Sequence, residues 1–96
     1  MVSENRITRH VRISGYVQGV FYRVWARQKA NELALSGWVR NRLDGTVEAV
    51  ISGSLEDVNS FIEACRTGPQ FARVDGVEAE IYDGHMENGF RMRSTR

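Results

Sequence analysis

Hydrophobic and polar positions alternate at the start of the chain. Ile7, Val11 and Ile13 fall on one side and Arg6, Thr8, His10 and Arg12 on the other, which is the two-residue period of a half-buried strand over residues 6–14. Only Arg9 breaks the pattern. The period then lengthens. Tyr22, Trp25, Ala26, Ala30, Leu33 and Ala34 cluster at helical spacing and predict a helix from about Tyr22 to Leu35. Residues 38–42 and 46–52 read as two strands, with Val47, Ala49 and Ile51 on the core face of the second. Asp44-Gly45 between them is a hairpin signal, because turns with positive φ tolerate that pair best.

The second helix carries the clearest pattern. Ser54 stands as N-cap with Asp57 three residues on, and Val58, Phe61, Ile62 and Cys65 recur at i, i+3, i+4 and i+7. Gly68-Pro69 ends it. A strand near 74–82 is expected to turn Val77, Ala79 and Ile81 inward, and a last one carries Phe90 and Met92. The order β-α-β-β-α-β with an extra terminal strand predicts an α+β two-layer sandwich of ferredoxin-like type. Two helices pack on one face of a mostly antiparallel sheet.

Size and charge narrow the function classes. Ninety-six residues are read as a single domain, 1–96. Thirteen basic against twelve acidic residues give a net charge of +1, which argues against a dedicated nucleic-acid binder. A lone cysteine, Cys65, excludes an intramolecular disulfide and fits a reducing compartment. No apolar run has the length of a signal-peptide core or a membrane span, so a cytoplasmic protein with no membrane partner is expected.

The chemistry is concentrated in Gly15-Tyr16-Val17-Gln18-Gly19-Val20-Phe21-Tyr22-Arg23. This stretch leaves a strand, passes two glycines and enters a helix. Such a turn exposes backbone N–H groups without helical partners, and the helix dipole adds positive potential, so it suits an anion and above all a phosphate. Residues 15–22 contain no Ser, Thr, Asp or Asn to cap the helix, which leaves those donors for a bound anion. Arg23 adds a planar fork of donors matched to phosphate oxygens. The plainer alternative is that the glycines form a tight connection and nothing more. Walker-type and dinucleotide-binding loops are excluded by the spacing.

A second motif follows in Gly37-Trp38-Val39-Arg40-Asn41-Arg42-Leu43-Asp44-Gly45. Together the two stretches resemble the signatures of the acylphosphatase family, and the likeness runs on to Phe90-Arg91-Met92. The resemblance implies the same ferredoxin-like fold and hydrolysis of a carboxyl–phosphate anhydride to a carboxylate and inorganic phosphate. It implies Arg23 and Asn41 as catalytic residues. The phosphoryl group would sit on Arg23 and the backbone of Tyr16, Val17, Gln18, Gly19, Val20, Phe21 and Tyr22. Asn41 would orient the attacking water. Its amide is far too weak a base to take the proton, which would pass to the substrate's own phosphate. No metal, cofactor or covalent intermediate is implied. The expected partner is a small-molecule acyl phosphate, and the chain is expected to act as a monomer.

Two departures from the family pattern stand out. Ala34 occupies a position where the family often has Gly, so Gly37 is the candidate to stop the first helix. Tyr22, where Phe is also common, would place a hydroxyl beside the cradle.

Other residues carry plainer readings. His10 and His85 read as exposed surface histidines, Cys65 as a packed thiol, Trp25 and Trp38 as packing residues, and Arg40 and Arg42 as a solvated strand face. Without the first motif Asn41 would be a hairpin residue. The rival function is a non-catalytic ferredoxin-like module that binds phosphate or another ligand. Residues 46–53 lack the aromatic and basic side chains that an RNA-reading sheet requires.

Overall fold

The computed structural model describes residues 6–84 and 86–96; His85 and the first five residues lie outside the described set. Five strands and two helices follow in the order β1 (Arg6–Tyr16), α1 (Tyr22–Glu32), β2 (Ser36–Asn41), β3 (Val47–Ser54), α2 (Leu55–Cys65), β4 (Arg73–Ile81) and β5 (Phe90–Met92). The sheet order is β4-β1-β3-β2-β5, antiparallel except for the parallel β2–β5 pair. This is the expected ferredoxin-like α+β sandwich.

The alternating pattern of the strands explains which face the helices cover. Val11 and Ile13 of β1, Val39 of β2 and Val47, Ala49 and Ile51 of β3 are buried together with Ala26 and Ala30 of α1 and Val58, Phe61 and Cys65 of α2. Each strand's remaining side chains point to the opposite face, because successive residues alternate across a sheet.

Register brings two distant segments together. Ile13 of β1 and Asn41 of β2 both pair with Val47, from opposite sides of β3. Both outer strands run antiparallel to β3, so they run the same way and end at the same edge of the sheet. The loop after β1 therefore emerges beside the end of β2. Between Ser14 and Gly15 the β1–β4 register shifts by a bulge. A Cβ on Gly15 would lie 2.2 Å from the Arg73 carbonyl oxygen, so only glycine allows the backbones to approach there.

Several expectations are corrected. Helix α1 ends at Glu32, three residues early, and Ala34 itself takes the left-handed position at φ 55°. The Ala34 amide donates to Asn31 and the Leu35 amide to Ala30, the paired bonds of a Schellman ending, so Gly37 is not the stop. In β4, Val77 packs against the core but Ala79 is exposed and Ile81 is 77% exposed, because this edge strand runs past the cover of the helices. In the β2–β3 hairpin only Gly45 has positive φ. Asp44 contributes its carboxylate, which accepts from the Thr46 amide and hydroxyl. Ser54 caps α2 by accepting from the Asp57 amide at 3.1 Å.

Candidate active site

The loop from Val17 to Phe21 is shaped by what it buries and what it leaves open. Val17 and Val20 send their side chains into the core, while Gly19 and Phe21 adopt left-handed conformations at φ 76° and 65°. Phe21 is the N-cap residue of α1, makes no side-chain cap and is 77% exposed. A non-glycine residue in this region is strained, and such strain survives where the surroundings impose it. Among the described residues, no carbonyl or side chain accepts from the backbone N–H groups of Val17 to Phe21. The loop that leads into α1 thus presents backbone donors without a partner among the described residues, and Phe21 adds no side-chain cap to the helix.

Gln18 faces the other way. Its amide nitrogen donates to the Arg42 and Thr46 carbonyls, each at 2.8 Å, and so ties the loop to the β2–β3 hairpin. Beside this tie lies a hollow of about 220 Å³ lined by Val17, Gly19, Phe21, Tyr22, Arg23, Val24, Asn41 and Met92. Arg23 and Asn41, far apart in the sequence, share its wall. Within the predicted set, Tyr16, Gln18 and Val20 do not line the hollow. Tyr16 is the exposed last residue of β1, Gln18 braces the hairpin and Val20 is core. Val24 and Met92 are additions that the motifs did not mark. Met92 follows from the parallel pairing of β5 with β2, in which it sits opposite Val39.

The Tyr22 hydroxyl is not beside the cradle. It donates to the Cys65 carbonyl at 2.7 Å, joining α1 to the end of α2, and burial pushes its pKa up. The same burial raises the Cys65 thiol to about 12, which fits a packed, inert residue. Trp25 meets the Tyr22 ring edge-on at 5.3 Å and packs at the core margin.

On the helix-free face, three further expectations change. Glu48 is 6% exposed and its carboxylate serves His10, Arg40 and Arg42 at once. His10 is therefore a partly buried network member and not a free surface residue, and Arg40 and Arg42 are ion-paired and not merely solvated. Burial alone would raise the Glu48 pKa, but the hydrogen bonds from His10 and Arg40 outweigh it and bring the carboxyl to about 2. Trp38 packs on this face too, with the guanidinium groups of Arg40 and Arg93 stacked 4.8 and 4.7 Å from its ring. Among the described residues, no group of three or more His, Cys, Asp or Glu side chains is arranged to hold a metal ion.

The profile of the Acylphosphatase family matches residues 9–92. The chain belongs to the acylphosphatase family. Acylphosphatase from Rhizorhabdus wittichii is 44% identical over 91 residues, covering 95% of this chain and 92% of that one. Acylphosphatase from Rhodopseudomonas palustris is 53% identical over 77 residues, 80% of this chain and 78% of that one. The structure of an acylphosphatase from Coxiella burnetii superposes with a TM-score of 0.91 at 39% identity, over 97% of this chain and all of that one. Membership makes the chain a hydrolase of acylphosphatase type and agrees with the two helices on a five-stranded sheet. No helix is long and apolar enough to cross a membrane among the described residues.

Proposed function

We propose that this acylphosphatase binds the phosphoryl group of its substrate on the 17–22 backbone and Arg23, and that Asn41 positions the attacking water. The observation that carries the reading is the shared hollow. Loop residues Val17, Gly19, Phe21 and Tyr22 line it together with Arg23 and Asn41, although the two motifs lie at the ends of different strands. Three phosphoryl oxygens need donors on several sides, and a helix N-terminus with an adjacent guanidinium meets that need without a metal.

The chemistry asks little more. The water oxygen attacks phosphorus as the bond to the acyl oxygen breaks, and the carboxylate departs with the electron pair. The water's proton passes to a phosphoryl oxygen. A carboxylate leaves readily, so positioning and charge stabilisation supply the catalysis. Arg23 neutralises the charge that builds on the phosphoryl oxygens. Asn41 holds the water through an amide that both donates and accepts. The unit proposed is the whole chain, residues 1–96, acting as a cytoplasmic monomer on small acyl phosphates.

The test is hydrolysis of benzoyl phosphate in EDTA by the wild type, Arg23→Ala and Asn41→Ala. Arg23→Ala should lose about 10³-fold or more in rate, the scale of charge-stabilising arginines in phosphoryl transfer. Asn41→Ala should lose activity while inorganic phosphate still binds. Wild-type rates in both variants would reject the assigned site. An inactive wild type that binds phosphate would favour the non-catalytic module instead.

A further inference from the structure

A second hollow adjoins the first. It is lined by Arg40, Met92, Arg93, Ser94 and Arg96, and Met92 is also a wall of the hollow that holds Arg23 and Asn41. The chain reaches it by running on from β5 alongside β2. The Arg93 amide donates to the Val39 carbonyl at 2.8 Å and the Arg96 amide to the Asn41 carbonyl at 3.1 Å. Three arginines are thereby held beside the strand end that carries Asn41.

Their charges are unequally answered. Arg40 gives its Nε–H to Glu48 at 2.8 Å, and Glu48 is already shared with His10 and Arg42. Arg93 and Arg96 form no ion pair with an acidic side chain among the described residues. Trp38 gathers Arg40 and Arg93 on one indole, which fixes two like charges close together. Ser94 adds a hydroxyl donor. A phosphate dianion is the group that such a set of forked donors accepts best.

We propose that this second hollow is an anion subsite, which takes a phosphate-like dianion carried on the acyl portion of the substrate. It rests on the reading of Arg23 and Asn41 above, since the reactive phosphoryl group is assigned to the first hollow. The subsite selects acyl phosphates that bear a second anionic group over those with a neutral acyl chain.

The experiment compares ω-phosphonoalkanoyl phosphates of increasing chain length with plain alkanoyl phosphates of matched length, at fixed ionic strength. The readout is the ratio of the two kcat/KM values for the wild type, Arg93→Ala, Arg96→Ala and the corresponding Lys variants. The wild-type ratio should peak at one chain length. Each Ala variant should lower that peak about tenfold, the worth of one hydrogen bond to a charged group, and Lys should restore part of it. Using a ratio removes any general loss of folding or turnover. Equal losses on both substrates, or a ratio flat with chain length, would overturn the subsite, including the case of a hollow that holds only free phosphate. A wild type that hydrolyses neither substrate would reject the reading of the first hollow and this inference with it.

Discussion

The Gln18 side chain donates to the carbonyl of Arg42 at 2.8 Å, so the loop of one motif is fastened to the residue that follows Asn41 in the other. The second bond, to Thr46, closes the same fork on the far side of the hairpin. Two carbonyls converging on one nitrogen specify an amide donor and reject a carboxylate.

Gln18→Ala should therefore lower kcat for benzoyl phosphate by about tenfold to a hundredfold, because small displacements of positioned groups cost that much. Gln18→Glu should be at least as damaging, since it faces two carbonyl oxygens with an acceptor. Steady-state kinetics of both variants, alongside thermal melting, check this. Wild-type kcat in Gln18→Glu would show that the tie does not hold the site.

Ala34 occupies the left-handed region at φ 55°. Ala34→Gly should raise stability by about 1 kcal/mol by removing the Cβ penalty, less the extra chain entropy of glycine. The urea midpoint reads the change. An unchanged or lower midpoint would mean that the strain at Ala34 does not exceed the entropy cost of glycine.

Glu48 has its pKa lowered from 4.5 to about 2 in the folded protein. A depressed carboxyl contributes stability that is fully present above its unfolded pKa and is lost as pH falls through the folded one. The window here is about pH 4.5 down to 2. Glu48→Gln should flatten that part of the stability–pH curve and lower stability at neutral pH. Unfolding titrations of both proteins across the window provide the comparison.

Tyr22→Phe removes the 2.7 Å bond to the Cys65 carbonyl and should destabilise by about 1–2 kcal/mol, with the loss appearing in the denaturant midpoint. A midpoint within error of the wild type would mean that water replaces the hydroxyl at the end of α2.

The layers of the fold were legible because the apolar periods of β1, β3 and α2 each match one element and one core face. The two motifs of the candidate site stood out through their joint resemblance to the family's signatures, since the glycines alone fit a tight connection and Asn41 alone a hairpin. The helix-free face was not. His10, Arg40 and Arg42 read singly as surface residues, and only the register across three strands places Glu48 among them. Ile81 lies away from its expected core position for a related reason. Alternation gives the side of the sheet on which a residue lies, but not how far the helices extend along it. Met92 was visible as an apolar strand residue, yet its place in the hollow depends on a parallel pairing that no local pattern encodes.

The strand order has a consequence during synthesis. β1 is made first, but its two neighbours are β3 and β4, and β4 begins at Arg73. At ~5–20 residues per second, a ribosome needs several seconds to extend the chain from Tyr16 to Ile81. Throughout that interval β1 has an open edge, and the segment from Val17 to Phe21 has no completed frame behind it. Nascent chains of this topology are thus exposed to strand-to-strand association, and the proposed phosphoryl site can form only after most of the chain has been made.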